Sequence, residues 1–307
     1  MSILLAGFSG LAGSAIYDRL NKSFGNVVGI NTKILDLTDR KMTFEFVNDL
    51  KPEIVIDAAA FAGGIARNNS LPVDFISKNL QIQTNLMDAS HSANVRKFIF
   101  LGSSCIYPKH CPQPIREEYL LTGILEDTNS AYAVAKISGL ELIKAYRKQF
   151  GRKWISLMPT NLYGPFDNFN IESGHVLPAL INKMVSAVQN YQNAVTLWGT
   201  GMAKREFLHT RDLATAVELA LEKYDSDLHL NVGTSKDLTI KELAEMIARL
   251  TGYSGEILWD TTKPDGTPRK ILDSSRLEAL GWQPKIDLEE GIKDTIAWFI
   301  SNYQNEK

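Results

Sequence analysis

Tyr132-Ala-Val-Ala-Lys136 is the stretch whose residue types and spacing point most directly to chemistry. A Tyr and a Lys four apart, in an Ala-rich segment without Pro, fall on one face of a helix. An ammonium beside a phenol stabilises phenolate, so this Tyr is expected to have a lowered pKa and to exchange a proton with a carbonyl oxygen near neutral pH. About one loop upstream, Ser103 follows the apolar run Phe98-Ile-Phe-Leu101, which reads as a buried parallel strand. Its hydroxyl would then sit at a carboxyl strand end, where open α/β sheets bind ligands and where it can hold the same carbonyl. Surface helices carry Tyr and Lys at this spacing by chance, so the pair takes its meaning from the elements around it.

Those elements begin at the amino terminus. Ile3-Leu-Leu-Ala6 runs into Gly7-Phe8-Ser9-Gly10-Leu11-Ala12-Gly13 and then into an amphipathic stretch ending near Leu20. Strand, glycine turn and helix in that order form a dinucleotide fingerprint in G-x-x-G-x-x-G spacing. Its glycines let backbone approach a pyrophosphate seated on the helix N-terminus. A second strand, 26–30, ends at Asn31-Thr32-Lys33, where an NAD-type site would place a carboxylate on the ribose 2′-hydroxyl. With no acid there and a cation at hand, NADP is favoured, unless Lys33 is merely solvated surface. Asp36 is either an adenine contact or a helix cap. A helix at about 40–50, a strand at 54–57, the small-residue run 58–64, a helix at about 73–93 and a strand at 154–157 continue the alternation. Such alternation is the pattern of a doubly wound parallel sheet. After Pro159 the texture turns loop-rich, with a helix at 176–189 and short strands near 195–198 and 206–209 interleaved with helices at 212–223 and 240–250.

At 307 residues the chain can bury a large core, and 44% hydrophobic with 22% charged residues is ordinary for a globular enzyme. A net charge of −2 supplies no basic field, which argues against nucleic acid or an anionic membrane as partner. The opening residues carry no basic segment and a short apolar run, so they read as a strand and not as a signal peptide or membrane span. Two cysteines, Cys105 and Cys111, are too few for a disulfide framework or a zinc site, which points to the cytoplasm and to no metal.

Taken together, the glycine triplet, Gly102-Ser103-Ser104-Cys105-Ile-Tyr107-Pro and Tyr132-x-x-x-Lys136 resemble the extended short-chain dehydrogenase/reductase family. Further segments resemble its branch that epimerises and reduces GDP-linked keto sugars: Gly63-Gly-Ile65, Pro159-Thr160-Asn161-Leu162-Tyr-Gly-Pro165, His175-Val-Leu-Pro-Ala179, Arg205-Glu-Phe-Leu-His209 and Lys263-Pro-Asp265-Gly-Thr-Pro-Arg269-Lys270. The resemblance covers almost the whole chain. It implies a Rossmann-type doubly wound parallel sheet with a smaller α/β substrate-binding lobe. Residues 1–160, with about 205–235 returning, would bind the dinucleotide, and 161–307 mainly the substrate. It implies NADPH as cofactor, a GDP-sugar as substrate and a homodimer. Ser103, Tyr132 and Lys136 would polarise and protonate a carbonyl, while Cys105 and His175 would invert the neighbouring carbons. On an extended strand end, residues two apart face one side, which would bring Cys105 into the pocket of Ser103. Leu101, Gly102, Ser103, Ser104, Lys136, Pro159, Thr160, Asn161, Leu162 and His175 would join the glycine turn, Lys33 and Asp36 around the cofactor. Lys183, Trp198, Arg205, Asp265 and Arg269 would line the nucleotide-sugar site. Many members carry a basic residue inside the glycine turn and an Arg after the second strand, where this chain has Phe8-Ser9 and Asn31-Thr32-Lys33.

Overall fold

The computed structural model describes residues 1–263 and 265–302; Pro264 of the motif above and positions 303–307 of the expected second lobe lie outside the described residues. Apolar strands and amphipathic helices alternate through the first half: β1 (Ile3–Ala6), α1 (Leu11–Phe24), β2 (Val27–Ile30), α2 (Arg40–Leu50), β3 (Ile54–Asp57), α3 (Ile65–Ser70), α4 (Pro72–Ser92), β4 (Lys97–Leu101), α5 (Ser130–Phe150) and β5 (Ile155–Pro159). The second half contains β6 (Asn161–Tyr163), α6 (Val176–Gln189), β7 (Ala194–Trp198), β8 (Lys204–His209), α7 (Thr210–Lys223), β9 (Leu230–Val232) and β10 (Asp237–Thr239). It closes with α8 (Ile240–Thr251), β11 (Glu256–Asp260), β12 (Arg269–Lys270), α9 (Ser275–Glu278) and α10 (Leu288–Asn302).

Among the described residues, β2-β1-β3-β4-β5-β9 form a parallel six-stranded sheet, so the expected α/β class holds. Its strands are apolar at almost every position because helices cover both faces. Successive residues point to opposite sides: Leu4, Phe98 and Phe100 enter the core beneath α4 and α5, while Ile3, Leu5 and Ile99 enter the core beneath α1 and α7. The chain winds one way from β1 to β2 and the other way from β3 onward, which opens a crevice at the carboxyl ends of β1 and β3. A third core, around Leu177, Ile181, Phe207, Leu243, Ile247 and Phe299, holds α6, α8 and α10 together. Helix α8 starts there with a capping box, Thr239 Oγ1 accepting from the Glu242 N–H at 3.0 Å and the Glu242 carboxylate accepting from the Thr239 N–H at 2.7 Å.

Two glycines are sterically required at the crevice. Gly7 has φ +79°, and a Cβ there would lie 2.7 Å from the Ala58 carbonyl oxygen. A Cβ on Gly13 would lie 1.9 Å from the Gly7 carbonyl oxygen, because α1 crosses directly over the turn. Gly13→Ala should therefore cost about 3 kcal/mol or more and abolish dinucleotide binding. Thermal melting and dinucleotide fluorescence titration check this, and wild-type behaviour in both would contradict the packing described.

Buried carboxyls make stability depend on pH. Burial pushes Asp167, whose Oδ2 has no hydrogen-bond partner, up to about 7, against the pull of the Asn168 N–H. The folded chain thus keeps a proton that the unfolded chain, with an ordinary value of 3.8, releases as pH rises. Stability from this group is full below about pH 4 and is lost towards pH 7, at up to about 1.4 kcal/mol per pH unit. Burial likewise raises Asp57 to about 6, so it acts in the same direction over the lower part of that window. Urea midpoints should fall between pH 5 and pH 7.5, and fall less in Asp167→Asn; equal slopes in the two proteins would assign the dependence to other groups.

Candidate active site

The dinucleotide end is built from the β1–α1 turn. Gly7 and Phe8 donate their N–H groups to the Ile30 carbonyl at 2.8 and 3.2 Å, which pins the turn against β2. The Phe8 ring packs over Gly29 and meets Tyr17 with centroids 5.6 Å apart, so Phe8 contributes packing and backbone. Ser9 and Gly10 stay exposed, and no side chain caps α1, whose first residues are Leu11, Ala12 and Gly13. A helix start without a side-chain cap, beside a backbone crossing that no Cβ could enter, fits an anionic pyrophosphate. At the end of β2, Asn31 takes the place of the usual acid: its Nδ2 donates to Ser9 Oγ at 3.0 Å and its Oδ1 accepts from the Lys33 N–H at 3.1 Å. Lys33 is exposed there. Asp36 is not the helix cap. It accepts from the Thr38 N–H and hydroxyl at 2.9 and 2.8 Å, which holds its carboxyl below the ordinary range, while Asp39 caps α2.

The proton-handling groups meet where β4 and α5 converge. Lys136 is buried and donates from Nζ to the Leu101 carbonyl at 3.0 Å, and its ammonium lies 5.9 Å from the Tyr132 ring centroid. The expected lowering of the phenol is overturned. Burial first, then the charges of Cys105 and Asp57, push Tyr132 well above its ordinary value, and Lys136 is turned to the strand end, where Asp57 faces it. Tyr132 therefore rests as a firmly protonated donor. Cys105 does not lie on the extended strand end expected for it, because Ser104–Ile106 is a 3-10 turn. Cys105 nonetheless meets the site: its N–H donates to Ser103 Oγ at 3.2 Å, and its charge reaches Tyr132. Burial would raise the thiol, but the Lys270 ammonium, the Ser103 hydroxyl and Arg205 outweigh it, and the net shift is downward. His175, the N-cap of α6, is exposed; desolvation first, then the Lys270 charge, hold it below its ordinary value.

Leu101 and Gly102 lie at the end of β4, the Gly102 N–H donating to the Leu157 carbonyl at 2.9 Å, and Ser104 is buried beside them. Pro159 ends β5; Thr160 donates its N–H to Val232 at 3.0 Å, and Asn161 Nδ2 donates to the Glu206 carbonyl at 2.7 Å, with Leu162 following in β6. The residues expected to line the sugar-nucleotide side lie on α6, β7, β8 and the segment that runs into β12. Lys183 on α6 donates to the Thr196 carbonyl at 3.0 Å, and Trp198 is exposed with the Lys263 ammonium 5.6 Å from its ring centroid. Arg205 Nη2 donates to the Asp265 carbonyl at 3.2 Å, while the Asp265 carboxylate accepts from the Thr200 N–H and hydroxyl at 2.7 and 2.8 Å. Arg269 forms an ion pair with Asp237, and it is Lys270 that reaches Cys105, at 3.4 Å. A broad hollow of about 650 Å³ elsewhere, lined by Arg211, Lys285, Glu290 and Asp294, holds none of these groups.

Lys270, Asn129 and Asp57 also reach the site, with no role foreseen for them in the sequence. Strand alternation requires that Arg269 and Lys270 face opposite sides, but not which of them faces the cleft. Asn129 lies three residues before Tyr132, the spacing that shares a helix face, and that signal was there to be read.

A carbonyl carbon and its neighbours are what a protonated phenol, a hydroxyl, a polarised thiol and an imidazole beside a dinucleotide cradle can act upon. The class so defined is that of dinucleotide-dependent epimerases and reductases on a Rossmann-type sheet. The chain belongs to the NAD dependent epimerase/dehydratase family, whose profile matches residues 3–233. It is 50% identical over 304 residues to GDP-L-fucose synthase 1 of Arabidopsis thaliana, covering 99% of this chain and 94% of that one. It is 44% identical over 310 residues to GDP-L-fucose synthase of Escherichia coli, covering 98% and 97%. Among solved structures, a GDP-L-fucose synthetase from Naegleria fowleri bound to NADP superposes with a TM-score of 0.90 at 30% identity, covering 99% of this chain and 95% of that one.

Proposed function

We propose that this protein converts GDP-4-keto-6-deoxy-D-mannose to GDP-L-fucose, by epimerisation at C3 and C5 followed by reduction of the C4 ketone with NADPH. The observation that carries the reading is the opposed tuning of two adjacent groups, a Tyr132 phenol held protonated and a Cys105 thiol drawn towards thiolate. One suits proton delivery to oxygen and the other proton removal from carbon. The names of the relatives at 44% and 50% identity supply the sugar.

The GDP-sugar lies in the cleft with its diphosphate towards Lys183 and Arg205 and its base or sugar towards Trp198 and Asp265. The hydroxyls of Ser103 and Tyr132 hydrogen-bond the C4 oxygen, and this contact strengthens as negative charge grows there. Cys105 and His175 move protons on and off C3 and C5, one group at each face, which inverts the carbon. The glycine turn, Lys33 and the strand-end residues Leu101, Gly102 and Thr160 hold the dinucleotide. Bound NADPH supplies the hydride that reduces C4. Tyr132 protonates the oxygen, and Lys136, fixed by the Leu101 carbonyl, orients the ribose beside it. We place the enzyme in the cytoplasm as a homodimer. Both cysteines are free, no described helix is long and apolar enough to cross a membrane, and Val73 on α4 and Val134 on α5 leave exposed apolar surface for a second copy.

Incubation with GDP-4-keto-6-deoxymannose and NADPH, followed by absorbance and product NMR, tests the reading; absence of both NADPH oxidation and solvent-proton exchange would remove it. Tyr132→Phe should lose reduction by roughly a hundredfold or more while still binding NADPH. Undiminished NADPH oxidation in that variant would take the proton donor's role from Tyr132. Cys105→Ser, incubated in deuterated water without NADPH, should show a steep fall in label entering C3 and C5, because a hydroxyl that does not ionise in this range replaces a thiol held below its ordinary value. His175→Asn should show the complementary defect, and full labelling at both carbons in either variant would exclude that residue.

A further inference from the structure

Groups from several elements converge on the sulfur of Cys105. Asn129, at the entry to α5, points its Nδ2 at the sulfur from 3.5 Å, and Lys270 on β12 brings its ammonium to 3.4 Å. Lys270 pairs in register with Arg205 across β12 and β8, so a second cation shares its side of the sheet and its field reaches the thiol. Of the other titratable groups, Tyr132 from α5 feels the charge of Cys105 and His175 ahead of α6 feels that of Lys270, while Glu126 lines the same small hollow and pairs with Lys109 at 2.9 Å. Among the described residues Lys270 has no carboxylate partner, whereas its neighbour Arg269 is paired with Asp237. The Asn129 amide spends its N–H on sulfur although its Oδ1 is buried with no partner. An ammonium and an amide N–H both directed at one sulfur form a seat for negative charge.

The seat is held rigidly. Beyond β12, Ile115 donates its N–H to the Ile271 carbonyl at 2.7 Å, Asp273 donates to the Ile115 carbonyl at 2.8 Å, and the Leu272 N–H reaches the Glu206 carboxylate at 3.0 Å. Lys270 is therefore fixed to the same loop that follows Cys105.

We propose that Lys270 and Asn129 are positioning residues for Cys105, together seating its sulfur as the thiolate that takes a proton from carbon. In that step the C–H proton passes to sulfur, and the electron pair of the broken bond moves to the carbonyl oxygen held by Ser103 and Tyr132. The link to epimerisation rests on the proposed function; the thiolate seat itself does not.

The test uses the full chain carrying Cys111→Ser, which leaves one thiol, and follows the rate of alkylation by iodoacetamide against pH. The parent should show a midpoint below the ordinary ~8.5. Lys270→Met and Lys270→Gln should raise it by about one pH unit, a roughly tenfold loss of thiolate at pH 7, while Lys270→Arg keeps most of the depression. Asn129→Ala should raise it by less. NADPH fluorescence and melting identify any variant that fails to fold, and two neutral replacements guard against losing one. The same neutral variants should lose solvent-deuterium exchange at C3 and C5 with NADPH binding unchanged. An unshifted alkylation midpoint in a folded neutral variant overturns the proposal. A shifted midpoint in a protein whose parent exchanges no label from the GDP-keto sugar upholds the seat and removes the substrate assignment instead.

Discussion

The buried carboxylate of Glu206 is the contact on which the site's geometry depends. With no exposed surface, it accepts from the N–H groups of Thr234 and Ser235 at 2.6 and 2.7 Å and of Leu272 at 3.0 Å, while its main-chain carbonyl accepts from Asn161 Nδ2. Burial pushes the carboxyl up and these donors pull it back, which is the balance that keeps a buried acid useful as a clamp. One residue thereby ties the start of β6, the loop after β9 and the segment after β12 to β8. Leaving those donors unpaired in the interior would cost about 1–3 kcal/mol each. It would also free the two flanking elements that present Arg205 and Lys270.

Given that frame, the cleft separates protonation states by burial and charge. Tyr132 is desolvated, meets the Phe75 ring edge-on with centroids 6.1 Å apart, and feels the negative charges of Cys105 and Asp57, so its proton stays on. Cys105, a short distance away, meets cations and donors, so its proton leaves more readily. Two titratable groups pushed in opposite directions by neighbouring environments are the usual arrangement where one site must both remove and deliver protons. Lys136 and Asp57, both buried, feel each other's charge, each opposing the other's desolvation.

Much of this was legible in the residues. Runs such as Ile3-Leu-Leu-Ala6 and Phe98-Ile-Phe-Leu101, apolar at successive positions and spaced by helical stretches, dictate a parallel sheet covered on both faces. The placement of Gly7, Gly10 and Gly13 after the first strand dictates the anion cradle, and the 176–189 helix was readable to its ends. These are local or periodic signals, and each is carried by a few neighbouring side chains.

What only the tertiary structure decided is which side chains meet across long sequence separations and what each does to the other's charge. The Tyr132–Lys136 spacing determined a shared helix face, but burial and the Leu101 carbonyl set the direction of the phenol's shift. The Ser103–Cys105 spacing suggested a shared side, yet a 3-10 turn is the route by which Cys105 reaches the cleft. The Arg269-Lys270 pair held two cations with no local sign of which one faced Cys105, 165 residues away. Register between β12 and β8 settles that, because side chains alternate along a strand and only the pairing partner fixes which face is inward.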